Sequence, residues 1–224
     1  MIESILREFP LETIVEALAP FLTGERAETL DRILSQRISS VSVALERPYD
    51  IHNGLAVVRT AEALGVHHLH FINAQMKKGQ GRGTTKGTLK WTHLHKHPSL
   101  DTFLEMKGEK LLVGAAADGA HSLETLPLDR PLCFLFGNEK EGMSEEAKEA
   151  CDLLFHIPMF GMVESYNLSV AAAITLYDYL QRKRAFLKRE GDLKGKELLE
   201  EKAYFYVRSV GIEQSLKIVK RYLS

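Results

Sequence analysis

Residues 131–144 read PLCFLFGNEKEGMS. Between Pro131 and Gly137 stand five apolar residues, Leu132 to Phe136, with no polar residue among them. A strand with one solvated face alternates apolar and polar positions, so an unbroken run bounded by turn residues belongs to a strand covered on both faces of a parallel sheet. KLLVGAAA (110–117) repeats the pattern and also ends in small residues. On either side, VSVAL (41–45) is short and β-branched, HHLHFI (67–72) reads as a second strand, and LLFHIPM (153–159) as a further one. Between the strands lie helical stretches. Asn53 to Leu64 places apolar residues at 55, 57, 58, 61 and 64 and closes on Gly65, a C-cap glycine. Ser144 caps a short helix, EEAKEAC, and Asn167 opens a long one running to about Lys188. Strand–helix alternation predicts an α/β domain with a mostly parallel sheet over residues 40–188, its functional loops beyond the carboxyl ends of the strands.

The flanks differ. Residues 2–22 show helical spacing broken by Pro10 and Pro20, and Thr23 is an N-cap candidate for a helix to about Gln36, so residues 1–39 read as an N-terminal helical extension. Residues 189–224 are charged, carry an apolar stripe at Val207, Val210, Ile212, Leu216 and Val219, and read as a basic C-terminal helical extension. A hydrophobic fraction of 45% with 26% charge is that of a soluble globular chain. The N-terminal MIESILREFP lacks a signal-peptide pattern and no apolar run approaches bilayer length, so a cytoplasmic location and no membrane partner are expected. Cys133 and Cys151 lie in apolar stretches and supply no disulfide framework.

A net charge of -1 hides an uneven distribution. From Arg182 to the end there are twelve Lys/Arg against six Asp/Glu, and between Met76 and His97 six bases and no acid. Such blocks suit a polyanionic partner held by local attraction, or simply a solvated basic face. Several nucleotide and metal motifs are excluded. GQGRGTTKG (79–87) lacks the P-loop lysine arrangement, no G-x-G-x-x-G follows the first strand, and no G-x-S-x-G marks a hydrolase. His93, His95 and His97 alternate in WTHLHKH without a neighbouring Cys or Asp cluster, so no metal is expected.

Three stretches remain, each at a strand end or helix start. The first runs from Asn53 to Arg59 and Thr60; the second is FGNEKEGMS (136–144); the third is IPMFGMVESYNLS (157–169). Each admits a plain structural reading: Asn53, Ser165 and Asn167 as helix caps, Arg59 as a surface ion-pair partner, Met159 and Met162 as core filler. Their joint order is more specific. N-x-x-x-x-x-R-T-A-E-A-L-G, F-G-N-E-K-E-G-M-S and I-P-M-F-G-M-V-E-S-Y-N-L-S-V-A resemble the three ordered motifs of the SpoU family of RNA ribose methyltransferases. TGERAETLDRILSQR, GTLKW and LQRKR extend the likeness toward its TrmH branch, over roughly residues 23–190.

The resemblance implies a SPOUT-type domain with a deep C-terminal trefoil knot, a homodimer, and S-adenosylmethionine bound by three loops. Carried over, the donor-binding positions are Gly114, Phe136, Gly137, Ile157, Met159 and Tyr166. The catalytic set is Arg59, Asn53, Glu139, Ser165 and Asn167. A guanidinium is a poor base, so Arg59 is expected to stabilise the developing oxyanion and gather a phosphate that relays the proton. Asn53 is expected to orient Arg59 or the ribose, Glu139 to hold the loop or Arg59, and Ser165 and Asn167 to fix the loop over the donor. The usual S-L-N of the third motif is Ser165-Tyr166-Asn167 here, and Gly54 inside a helix start is a second departure. RNA contact is expected from Arg26, Lys77, Lys78, Arg82, Lys86, Lys90, Arg182 and Arg184. The expected activity is 2′-O-methylation of the D-loop guanosine of tRNA, guanosine-18. The alternatives are ribosomal RNA as substrate and a knotted RNA-binding protein without catalysis.

Overall fold

In the computed structural model, which describes residues 2–74, 85 and 87–223, the unbroken apolar runs form the middle of a parallel sheet. Among the described residues it has seven strands: β1 (Val41–Glu46), β2 (His68–Ile72), β3 (His93–His97), β4 (Leu111–Ala115), β5 (His121–Ser122), β6 (Leu132–Phe136) and β7 (Leu153–His156). Their order is β3-β2-β1-β6-β4-β7-β5, with every neighbouring pair parallel. β6 lies between β1 and β4, so Phe134 faces Val43 on one side and Val113 on the other.

The reason for the unbroken run is now geometric. Successive side chains of β6 point to opposite faces. Leu132, Phe134 and Phe136 join a core closed by α4 (Ile51–Ala63) and α7 (Leu168–Leu187); Cys133 and Leu135 join a second one closed by α5 (Leu100–Met106) and α6 (Glu145–Glu149). Phe134 meets Phe155 and Tyr179 edge-on, with centroids 5.9 and 5.0 Å away. Gly54, an odd residue for a helix, is explained by the same core: a Cβ there would lie 2.9 Å from the Phe71 ring.

β3, β5 and α5 were not anticipated. β3 has the sequence HLHKH, without the apolar run that marks the inner strands. It pairs with β2 at the sheet edge, where imidazoles replace apolar packing. His68 Nδ1 lies 3.2 Å from His95 Nε2, and His70 Nδ1 lies 3.0 Å from His97 Nε2. His70 also stacks on His95. In each hydrogen-bonded pair one neutral ring donates and the other accepts. α5 begins at a capping box formed by Ser99 and Thr102.

The chain divides into two units, residues 38–189 and residues 1–37 with 190–224. The two ends, read from sequence as separate extensions, thus form one helical unit: α1 (Ile2–Glu8), α2 (Leu11–Leu18), α3 (Gly24–Ser35), α8 (Gly195–Val210) and α9 (Ile212–Leu223). Thr23 caps α3 by accepting from Arg26 N–H. Ala203 to Val207 of α8 are buried with Ile14, Leu18, Leu30 and Leu34. Asp192 N–H donates to Arg37 O at 2.9 Å, Lys202 pairs with Asp31 at 2.7 Å, and Arg37 lies over the Phe205 ring. No helix among the described residues is long and apolar enough to cross a membrane.

Candidate active site

The carboxyl ends of β4, β6 and β7 are adjacent, and each runs into a loop. Together the loops line a cleft of about 400 Å³, within the range of small-molecule sites. Ala115, Ala116, Ala117 and Asp118 form one wall; Phe136 to Met143 form the second; Ile157, Met159, Glu164, Ser165 and Tyr166 form the third. Of the donor-binding positions expected from sequence, Phe136, Gly137, Ile157, Met159 and Tyr166 line it. Gly114 does not: it sits one residue before the wall, and its missing Cβ makes room for Cys151 Sγ, Met143 Cε and Leu154 Cδ2, all under 3 Å from that position.

The β6 loop is built to turn on itself. A Cβ on Gly137 would stand 2.1 Å from the Met143 nitrogen, so only glycine admits the chain there. Asn138 and Gly142 exchange two backbone hydrogen bonds of 2.8 Å, and Gly142 takes a φ of 73°. Asn138 Oδ1 accepts from Lys140 N–H, while its Nδ2 donates to Arg47 O at 2.7 Å, tying this loop to the β1–α4 connection. Glu46, 4% exposed at the end of β1, accepts from both the backbone and the hydroxyl of Ser144. It had no motif to mark it; a lone acid ending an apolar strand was the available signal.

Residues from all three sequence stretches meet at the edge of this cleft. Glu139 accepts from Tyr49 N–H at 2.7 Å and from Asn53 Nδ2 at 3.0 Å. Asn167 Nδ2 donates to Asn53 Oδ1 at 3.3 Å. The polarity of this chain is set from its end. Asn167 is the N-cap of α7, so its Oδ1 must face the Ser169 N–H and its amide nitrogen must face outward. Asn53 therefore turns its oxygen to Asn167 and its nitrogen to the acceptor-only carboxylate of Glu139. Asn53 is not a cap, because Asp50 fills that position on α4.

Arg59 stands apart. It is exposed on α4 and does not line the cleft of its own chain. Six residues along a helix turn the side-chain direction by about 240° and advance it about 9 Å, which separates Arg59 from Asn53. Ser165 lines the cleft, and the Tyr166 hydroxyl donates to Pro158 O at 3.0 Å, bracing the third loop across its base. At the tip of that loop Phe160 and Met162 are 98% and 100% exposed. The lining carries four carboxylates, Asp118, Glu139, Glu141 and Glu164, against the ammonium groups of Lys140 and Lys148. The cleft thus favours a cationic ligand.

The basic end of α7 has other duties. Arg182 donates to the carbonyls of Leu123 and Glu124 and pairs with Asp178; Lys183 donates to Leu128 O; Arg184 donates to Leu64 O. These groups fasten the helix to its own domain. Lys90 is exposed, Arg26 reaches Ser209 Oγ at 3.4 Å, and Lys77, Lys78, Arg82 and Lys86 lie outside the described residues.

Residues 40–177 match the SpoU rRNA Methylase family. The tRNA (guanosine(18)-2'-O)-methyltransferase of Thermus thermophilus is 36% identical over 165 residues, 72% of this chain and 84% of that protein. Among solved structures, the TrmH/SpoU tRNA modifying enzyme of A. aeolicus superposes with a TM-score of 0.68 at 32% identity, covering 82% of this chain and 97% of that one. The SpoU methyltransferase AviRb from Streptomyces viridochromogenes, in complex with AdoMet, superposes with a TM-score of 0.61 at 26% identity, covering 69% and 64%.

Proposed function

Because this chain belongs to the SpoU methylase family, we propose that it transfers a methyl group from S-adenosylmethionine to the ribose 2′-hydroxyl of guanosine-18 in the D-loop of tRNA. The observation that carries the reading is the Glu139–Asn53–Asn167 chain, in which three separated stretches converge on the rim of one cleft. The relatives named for guanosine 18 favour tRNA over ribosomal RNA.

The cleft fits the donor on its own features. Its volume suits a nucleoside-sized molecule. Alanines 115–117 and Gly137 bring short side chains or none to the cleft, and the acidic lining complements a sulfonium and an ammonium. When bound, the donor supplies an electrophilic methyl group. The chain's own residues have four tasks. The braced loop 158–166 and the turn at Gly137 shape the walls of the cleft. Asn53, with its two polar ends already committed, holds Glu139 and Asn167 in register. Glu139 secures the start of α4 through the backbone of Tyr49 and Asp50. Arg59 stabilises negative charge growing on the ribose oxygen and holds a neighbouring phosphate.

Arg59 acts on the cleft of a second copy, and the functional unit is a homodimer. Support comes from its exposure outside the lining of its own cleft, and from exposed apolar surface: Phe160, Met162 and Val163 on the loop, Val170 and Tyr177 on α7. The C-terminal part is knotted. What supports this is that β7 inserts between β4 and β5, and that Tyr179, Arg182 and Lys183 of the following helix donate to carbonyls of residues 123–128. Arg26 and the exposed Lys90 supply phosphate contacts. The test is to incubate the protein with total tRNA and methyl-labelled donor and map the product. A 2′-O-methyl at guanosine-18 is expected; a mark confined to ribosomal RNA reverses the substrate, and none on any RNA removes the activity.

A further inference from the structure

Tyr49 lies on the β1–α4 connection at the rim of the cleft, with 65% of its surface exposed. The Lys140 ammonium sits 3.6 Å from the centre of its ring. The ring is anchored at its base: Tyr49 N–H donates to Glu139 Oε2 at 2.7 Å, and the other oxygen of that carboxylate takes Asn53 Nδ2 at 3.0 Å. Lys140 and Glu139 themselves line the cleft. A large aromatic ring is therefore held out to solvent, fixed to the polar chain of the site, with a cation against one face.

We infer that Tyr49 and Lys140 form a stacking platform for the nucleobase of the nucleotide whose ribose is methylated. The inference rests on the reading of the protein as an RNA ribose methyltransferase, and it names where the base goes. The base hangs from the ribose carbon next to the one bearing the reacting hydroxyl. When that hydroxyl enters the cleft, the base must lie at its rim. A base taken out of its own stack recovers the lost contact on an aromatic face, and single-stranded RNA is recognised chiefly this way. The ammonium polarises the ring from one side and stands where a phosphate follows the base. Stacking needs only a π-face, so the platform holds the nucleotide; choice among bases falls to other groups.

The test is binding of a labelled D-loop RNA hairpin, followed by fluorescence anisotropy, against the same hairpin made abasic at guanosine-18. The wild-type chain is expected to favour the intact hairpin about tenfold or more, from the usual worth of one base–aromatic stack. Tyr49→Leu erases that preference while binding S-adenosylmethionine normally, and Tyr49→Phe keeps it. The platform is overturned if Tyr49→Leu still discriminates, if the wild type binds both hairpins alike, or if Tyr49→Leu changes only the oligomeric state on sedimentation. Methyl transfer to the intact hairpin by the wild type is read separately. Its absence sinks the enzymatic reading and the platform with it, whereas methyl transfer alongside a discriminating Tyr49→Leu removes the platform alone.

Discussion

Asn53 is held by two hydrogen bonds of opposite polarity, and this is what makes an amide the right group there. Asn53→Asp keeps the shape but sets a carboxylate against Glu139, so it is expected to lose more turnover than Asn53→Ala; equal losses measured by labelled methyl transfer would mean that charge at this point is irrelevant. Arg59→Ala is expected to abolish transfer while leaving donor affinity in calorimetry nearly intact, because its proposed partners are the ribose oxygen and a phosphate and not the donor. Tyr166→Phe removes only the bond to Pro158 O. A hydrogen bond of this kind contributes about 0.5–1.5 kcal/mol, so the donor dissociation constant should rise roughly two- to tenfold with kcat little changed. A drop in kcat at unchanged affinity would place the tyrosine at the reacting atoms instead. At this scale the sequence marked Asn53, Glu139 and Asn167 in three separate stretches, and the structure brings them together. The role of Glu46 was not, because its partner Ser144 is remote in sequence.

Among the elements, the inner strands announced themselves because burial on both faces forbids polar residues. β3 did not, because its packing is imidazole on imidazole. That edge has a pH signature. Burial, then the neighbouring His95 and His97, lower His70 from its ordinary 6.5 to about 3; burial first, then neighbouring histidines, also lowers His95, and burial lowers His97. Each is neutral when folded and takes up a proton more readily when unfolded. Their contribution is therefore complete above about 6.5 and is lost as pH falls from there toward 3. The slope is at most about 1.4 kcal/mol per pH unit for each histidine. Urea unfolding across this window should show stability falling on acidification, and less steeply in His70→Gln. A flat profile in the wild type would refute the assignment. The loop 157–167, which lines the cleft, was readable as a loop from its Pro, Gly and cap residues, but its internal brace was not, since the usual residue at 166 has no hydroxyl.

For the whole molecule, the prediction concerns a site shared between copies. On the proposed shared site, Arg59→Ala and Asn53→Asp each damage a different chain's share. Co-expressed as mixed dimers, they should regain methyl transfer, because one of the two clefts then combines an intact Asn53 with an intact Arg59 from the partner copy. No recovery, with mixed dimers demonstrated by mass, would place Arg59 in the cleft of its own chain. RNA binding should also weaken steeply with salt, since phosphate neutralisation releases counterions.

From the amino-acid order alone came the α/β class, the central strands and the three ordered stretches of the site, because these depend on local rules: period, capping, and the exclusion of polar groups from doubly covered strands. Tertiary structure alone decided which strands are neighbours, that the two ends pack as one helical unit, and that Arg59 does not line the cleft of its own chain. Those outcomes depend on contacts between residues far apart in the chain, and periodicity carries no information about distance across a fold.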